Sequence, residues 1–127
     1  MSKEELENKL KQLDIEDFIW IIYIGIIIMS WYSNSLERDF FVNNNETSKI
    51  KYRNIIIIIF SILVAVYIYF FKDSLDDVKN LKPTDSNKKK NLISISFIAS
   101  TLILISGLMF LYIAIEDEDL NVELAFN

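Results

Sequence analysis

The sequence predicts an all-α membrane protein with three transmembrane helices in a small bundle. Hydrophobic residues make up 52% of the chain and charged residues 24%, and the two classes are segregated into blocks, whereas a soluble domain would interleave them at a helix or strand period. A length of 127 residues allows one domain. We therefore expect a single membrane domain over residues 1–127, with spans near 18–36, 55–71 and 92–115 and soluble segments 1–17, 37–54, 72–91 and 116–127.

The amino-terminal segment, residues 2–13, has the pattern of a short amphipathic helix. Ser2 can cap this helix, and Glu5 three positions later completes a capping box. The polar face carries both signs of charge, whereas membrane-surface helices have a basic polar face, so we expect the apolar face to pack on another part of the chain. Asp14 offers a second cap ahead of the first span. The apolar face consists of Leu6, Leu10 and Leu13.

The first span, residues 18–36, contains no charged residue and would form about 28 Å of helix. A cleaved signal peptide is the alternative, but the residues before the span carry six acidic side chains against three lysines, and a signal peptide begins with net positive charge. We therefore predict an uncleaved helix. Apolar residues continue beyond the span at a spacing of four, so the helix is expected to project past the bilayer and end at residues 42–45.

The second span, residues 55–71, corresponds to about 26 Å of helix. Apolar residues then recur every three positions among charged ones, at Leu75, Val78 and Leu81. This spacing predicts an amphipathic extension of the second helix into the cytoplasm. Pro83 should stop it, because proline lacks the N–H that continues a helix.

The third span, residues 92–115, is the longest and would be about 36 Å long, against about 30 Å for a hydrocarbon core. Lys88, Lys89 and Lys90 precede it, and the acidic run 116–119 follows it. Lysine is favoured on the cytoplasmic side of a membrane, so we expect a plasma membrane protein with the amino terminus cytoplasmic and the carboxyl terminus outside. The three lysines are candidate topology anchors, and they could also attract anionic lipid headgroups.

The tail alternates apolar and polar residues, which is the period of a half-buried strand. We expect a short carboxyl-terminal strand outside the membrane, and the alternative is a frayed continuation of the third helix. The alternating apolar residues are Leu120, Val122, Leu124 and Phe126.

Small residues occupy one face of the third span at a repeat near 3.5, and smaller sets occur in the other spans. Small residues let membrane helices approach closely and gain dispersion contacts, so we predict that the first and second helices both pack against the third. The alternative is that the serines line a water-filled pore in a homo-oligomer. The candidate packing residues are Gly25, Ser61, Ala65, Ser96, Ser100, Gly107 and Ala114.

Residue types that carry most catalysis are missing, because the chain has no cysteine and no histidine. No charged side chain lies inside a span, which argues against ion-coupled transport. The acidic pattern at 117–121 lacks the glycine and the last glutamate of a calcium loop, and a net charge of −5 disfavours nucleic acid as a partner. We therefore expect no enzyme activity, no cofactor and no metal site.

The remaining function classes are those of a small membrane protein that acts by binding. We expect an accessory, scaffold or immunity-type interaction protein whose partners are the bilayer and either another membrane protein or a second copy of itself. A homo-oligomeric channel is the alternative. The abundance of Ile, Asn and Lys with little Gly and Pro suggests an AT-rich bacterial genome.

Overall fold

In a computed structural model of the chain, which describes residues 1–124, three antiparallel helices follow one another along the sequence. They are α1, Lys3–Asn43, α2, Glu46–Lys79, and α3, Asn87–Glu116. The predicted all-α architecture is confirmed over these residues. Two of the helices, α2 and α3, are long and apolar enough to cross a membrane.

The central helix is α2, not α3 as the sequence analysis predicted. Both α1 and α3 pack against α2, whereas no Cα atoms of α1 and α3 come within 8 Å of each other in the described part of the chain. The buried residues of α3 are only Gly107 and Ala114, which form one narrow face. The buried apolar side chains of α2 cover nearly half of its circumference, which is wide enough to pack against a helix at each edge. The apolar side chains of its span that are buried are Ile56, Ile59, Phe60, Leu63, Val64 and Val66.

The first helix is continuous, so the predicted separate amino-terminal helix is wrong. The Ser2 cap is present, because the Ser2 Oγ accepts a hydrogen bond from the Glu5 backbone N–H at 3.1 Å. Asp14 lies inside α1 and caps nothing. No glycine or proline interrupts the chain before residue 25, and a nucleated helix propagates until something stops it. The predicted packing of the leucine face is also absent, since Leu6, Leu10 and Leu13 are 48%, 51% and 41% exposed.

The corner between α1 and α2 lies where it was predicted and is built by side-chain amides. Asn44 ends α1 in the left-handed region at φ 52°, and the Asn45 side chain caps α2 by accepting from the backbone N–H groups of Thr47 and Ser48. The Asp39 carboxylate accepts hydrogen bonds from Asn43, Asn45 and Ser48. Asparagine tolerates the left-handed conformation and caps helices well, so this corner is fixed locally.

The second helix continues past residue 71, as the sequence predicted, but it ends at Lys79, so Leu81 and Pro83 lie in the loop that follows. A short loop follows, in which Asp85 accepts a hydrogen bond from the Lys82 backbone N–H at 2.8 Å. Ser86 then caps α3 by accepting from the Lys89 backbone N–H.

The tail forms no strand over residues 120–124, and Phe126 lies outside the described residues. The alternative of a frayed helix is also wrong, because α3 ends at Glu116. The Asp117 carboxylate accepts hydrogen bonds from the backbone N–H groups of Asn121 and Val122 at 3.0 and 2.8 Å, so the chain turns back on itself. Leu124 thereby reaches the apolar core beside Tyr52, Ile56 and Ala114.

Candidate functional site

A groove runs along one side of α2, because α1 and α3 flank that helix with no Cα atoms of the two within 8 Å of each other. Three adjoining cavities of about 500, 310 and 300 Å³ make up the groove. Tyr67 of α2 lines all three cavities, so its ring lies at their junction. The two ends of the bundle are named by the chain segments found there. The amino-terminal end contains the start of α1, the end of α2 and the start of α3. The tail end contains the end of α1, the start of α2 and the end of α3.

The floor of the groove is one face of α2 and changes from apolar to acidic along its length. Successive floor residues are three or four positions apart, which places their side chains on one side of a helix. The apolar part lies towards the middle of α2 and the acidic part lies at the amino-terminal end. The floor residues, in order, are Phe60, Leu63, Tyr67, Phe70, Ser74 and Asp77.

The acidic part of the groove contains Asp73 and Asp77, and we call it the acidic mouth. The Gln12 side chain of α1 donates a hydrogen bond from Nε2 to Asp73 Oδ2 at 2.9 Å, which ties the start of α1 to the end of α2. Burial raises the pKa of Asp73, with further contributions from the negative charges of Asp77 and Glu16 and an opposing one from Lys9. Neither Asp73 nor Asp77 is in an ion pair within residues 1–124.

The apolar part of the groove is walled on one side by α1. Trp20, Tyr23 and Ile27 of α1 line the largest cavity opposite Leu63 and Tyr67 of α2. The Trp20 and Tyr23 rings meet edge to face, with centroids 5.7 Å apart. Edge-to-face packing is a favourable arrangement of two aromatic rings, so the two side chains support each other in this wall.

Four of the predicted packing residues lie on the α3 face that meets α2 or the groove. Gly107 and Ala114 are buried, and Ser96 and Ser100 line the acidic mouth. A Cβ atom added to Gly107 would lie 2.8 Å from Tyr67 Cδ2 and 3.1 Å from Tyr67 Cε2. The close approach of α2 and α3 at this point therefore depends on the missing side chain.

The other three predicted packing residues have no close partner within the described chain. A Cβ atom added to Gly25 would meet nothing within 4 Å. Ser61 and Ala65 are exposed, and the Ser61 Oγ donates a hydrogen bond to the Ile57 carbonyl of its own helix. Their role in helix packing stays a prediction, and it would require contact with another chain.

The three lysines of the predicted topology anchor lie in the first turn of α3. Lys89 Nζ lies 3.2 Å from Asp85 Oδ1, and Lys90 Nζ donates to the Pro83 carbonyl, while Lys88 is exposed. These contacts fix the loop before α3.

The tail end is held together by polar contacts between the three helices and the tail. Arg53 Nη2 donates a hydrogen bond to the Ile115 carbonyl at 3.0 Å, which satisfies a carbonyl group at the end of α3. Lys49 Nζ of α2 lies 3.5 Å from Asp119 Oδ1. Tyr52 is buried, and burial together with its hydrogen bond to Glu37 of α1 raises the pKa of its hydroxyl. These contacts explain the polar residues at this end as structural.

Neither a protein-family model, nor a curated protein, nor a solved structure matches the chain. Within residues 1–124, no group of three acidic side chains is arranged to hold a metal ion. Function therefore has to be argued from the chemistry of the groove and the exposed surfaces.

Sequence reasoning identified Ser96 and Ser100 but missed their neighbours in the groove, Tyr67, Asp73 and Asp77. A signal was present, because the three-and-four spacing of the α2 floor continues from residue 60 through residue 77. The spacing alone did not reveal the groove, because the same acidic residues also fit a solvated extension of α2.

Proposed function

We propose that this protein is a small multi-pass protein of the cell membrane that crosses the bilayer three times and acts without catalysis, by binding another membrane component. An accessory, scaffold or immunity-type role fits this description. The observation that carries the proposal is the open arrangement of the helices, in which α1 and α3 both pack against α2 while their Cα atoms stay more than 8 Å apart in the described chain. This arrangement leaves apolar surface on all three helices available for contacts with lipid or protein.

Placement in a membrane is supported by where the apolar residues point. Only 33% of the apolar window of α2 and 11% of that of α3 is buried inside the chain. The core helix of a soluble protein would be mostly buried, and soluble monomers rarely expose large contiguous apolar patches. The exposed apolar surface therefore fits a lipid environment better than water.

A third crossing by α1 is supported by its length and its alignment with α2. Residues 18–36 carry no charge, and α1 runs antiparallel along α2 from the Gln12–Asp73 contact to the Asn45 corner. If α2 crosses the bilayer, residues 18–36 lie at the same depth beside it. With 41 residues, α1 is about 62 Å long and extends beyond the bilayer at both ends.

The orientation is supported by charges that are placed against the helix dipole. Lys88–Lys90 lie at the amino-terminal end of α3, and the acidic run 116–119 lies at its carboxyl end. A helix dipole favours acidic residues at its start and basic residues at its end, so neither set stabilises the helix as such. The positive-inside bias accounts for the three lysines and supports a cytoplasmic amino terminus, whereas acidic residues contribute little to that bias.

The test of a binding role is affinity capture of the full chain from its native membrane in a mild detergent. The proposal predicts recovery of one specific membrane partner at a constant ratio. Ser61→Ile with Ala65→Ile should reduce the recovery if the exposed face of α2 is the contact, while Ile58→Leu on the same face serves as the matched control. Recovery of copies of this chain alone would contradict a separate partner.

The alternative function, a homo-oligomeric channel, is favoured by one observation. Ser96 and Ser106 of α3 are exposed and lie on the same side of that helix, about 80° apart around its axis, so a ring of copies could direct them towards a water-filled pore. Measurement of particle mass in lipid, together with ion flux in liposomes, distinguishes the two functions. A channel predicts a defined oligomer with flux, and a monomer without flux removes this alternative.

A further inference from the structure

We propose that the groove beside α2 binds an amphiphilic ammonium cation, with the charged head in the acidic mouth and the alkyl chain in the apolar cavities. This goes beyond a general binding role, since it assigns a site and a chemical class of ligand. The proposal rests on the shape of the groove, on the aromatic rings beside its carboxylates, and on the order of polar and apolar residues along it.

The acidic mouth has the residue types that recognise an ammonium group. Three aromatic side chains, Tyr23, Tyr67 and Phe70, line the same cavity of about 310 Å³ as Asp73 and Asp77. Aromatic faces attract ammonium and quaternary ammonium groups through the negative potential of the ring face. The carboxylates add charge complementarity, and a cavity of this size lies within the range of small-molecule sites.

The two apolar cavities provide room for an alkyl chain. They adjoin the acidic mouth at Tyr67 and extend along α2 past Leu63 on the α1 side and past Phe60 and Phe110 on the α3 side. In a bilayer, this order places the acidic mouth towards the cytoplasmic interface and the apolar cavities towards the membrane centre. An amphiphile in the same membrane has its head and its chain in the same order.

The charge around the mouth selects a cation over an anion. The negative charges of Asp77, Glu16 and Asp76 all act on the Asp73 carboxylate, and the positive charge of Lys9 opposes them there. Gln12 holds the Asp73 carboxylate in place without neutralising it. A bound ammonium group would replace part of the solvation that Asp73 loses by burial.

The two tryptophans of the chain provide a direct measurement. Trp20 lines the largest cavity of the groove, whereas Trp31 does not line it and is 79% exposed. In the full-length Trp31→Phe variant, purified in a neutral sugar detergent, a trimethylammonium probe with a brominated alkyl chain should quench Trp20 fluorescence saturably. Asp73→Asn with Asp77→Asn should raise the apparent Kd by at least about tenfold, which corresponds to ~1.4 kcal/mol.

Two controls separate binding from partitioning into the detergent micelle. The same brominated chain with a sulfate head should quench weakly and without saturation, and Glu118→Gln, an exposed charge at the tail end of the bundle, should leave the apparent Kd within about twofold. Asp77→Asn alone gives a second, milder variant in case the double variant elutes as an aggregate. Equal quenching by both head groups, or an unchanged Kd in the aspartate variants, would overturn the proposal.

The source of the ammonium group is distinguished by repeating the titration in lipid particles. One set contains phosphatidylglycerol alone, and the other contains phosphatidylglycerol with phosphatidylethanolamine. Competition by phosphatidylethanolamine identifies the ligand as a lipid headgroup, whereas probe binding unaffected by that lipid identifies a free amphiphile. Loss of probe binding in both lipid mixtures would show that the detergent created the site, and this would contradict the proposal.

Discussion

Gly107 of α3 lies directly against the ring of Tyr67 of α2, so that a Cβ atom at Gly107 would come within 2.8 Å of Tyr67 Cδ2. Because Tyr67 lines all three cavities of the groove, this contact determines more than the distance between two helices. It also fixes the ring around which the apolar and acidic parts of the groove are arranged.

Gly107→Ala should therefore destabilise the protein, although alanine is the better helix former. Displacement of a packed ring by an added methyl group costs about 1–3 kcal/mol, and most of this range lies above the roughly 0.5–1 kcal/mol that alanine gains over glycine in a helix. We expect a lower free energy of unfolding in a denaturing-detergent titration, and a larger loss for Gly107→Val.

The matched control for this prediction is Gly25→Ala, since a Cβ atom at Gly25 meets nothing within 4 Å. This variant should be neutral or more stable by up to about 1 kcal/mol. Equal destabilisation of both variants would show that helix propensity or lipid contact, not the Tyr67 ring, decides the outcome at Gly107.

The small residues of α3 show how much of the helix contact could be predicted from sequence. Ser100, Gly107 and Ala114 are seven residues apart, a spacing that keeps one face towards a partner helix, and this face does meet α2 or the groove. The central position of α2 could not be predicted, because its span is apolar on all sides and has no polar face to exclude a neighbour. Spacing identifies a face but not its partner.

Local chemistry explains which of the other predictions from the sequence were right and which were wrong. The ends of α1 and α2 near Asn45 and Pro83 were predictable, because asparagine and proline act through the adjacent backbone. The tail was predicted wrongly, since the hydrogen bonds from Asn121 and Val122 to Asp117 require a folded turn that alternation cannot indicate. The groove was missed for a similar reason, because it depends on how far apart α1 and α3 lie on α2, which the sequence pattern does not indicate.

Single introduced cysteines should establish the number of crossings, since the native chain has none. Three crossings predict that Glu4→Cys and Thr84→Cys react only after the membrane is opened, while Thr47→Cys and Asn121→Cys react from outside in intact cells. The four positions are exposed, so modification should not be limited by burial. The measurement is labelling with a membrane-impermeant maleimide.

The same experiment separates three crossings from two. If only α2 and α3 cross, Glu4→Cys should react from outside together with Thr47→Cys, because α1 would lie on the outer side. Reaction of Thr84→Cys from outside would contradict the proposed orientation.

The corner between α1 and α2 should weaken in acid. Hydrogen bonds from Ser48, Asn43 and Asn45 lower the pKa of Asp39, so the folded state favours the ionised carboxylate. The stabilisation is present above the unfolded pKa, near 3.9, and is lost as the pH falls through the lower folded value. Asp39→Asn should lower the Tm at pH 7, and its difference from the native chain should shrink below pH 4 in thermal scans. A difference that does not depend on pH would contradict this cause.

Asp73 should show the opposite behaviour, since its pKa is raised by burial and by neighbouring acidic groups. Ionisation of Asp73 therefore destabilises the folded state. This free-energy cost is absent below the unfolded pKa near 3.9, and it is complete once the pH has risen through the raised pKa of the folded state. Asp73→Asn should raise the Tm at pH 7, with no gain near pH 3. The side-chain amide oxygen can still accept from Gln12, so the contact between α1 and α2 is retained. Glu118→Gln at the tail end is the control, and an equal gain in Tm there would point to net charge rather than to the groove.

The folded-back tail should contribute to stability through one side chain. Leu124 is 7% exposed beside Tyr52 and Ala114, whereas Val122 is 50% exposed. Leu124→Ala should lower the free energy of unfolding by about 2–3 kcal/mol, as expected for a buried leucine, while Val122→Ala should change it by less than about 0.5 kcal/mol. Unfolding in a denaturing-detergent titration provides the measurement. In a strand, Leu120, Val122 and Leu124 would share one face and be buried to a similar extent. Equal decreases in the free energy of unfolding for Val122→Ala and Leu124→Ala would therefore contradict the turn made by Asp117.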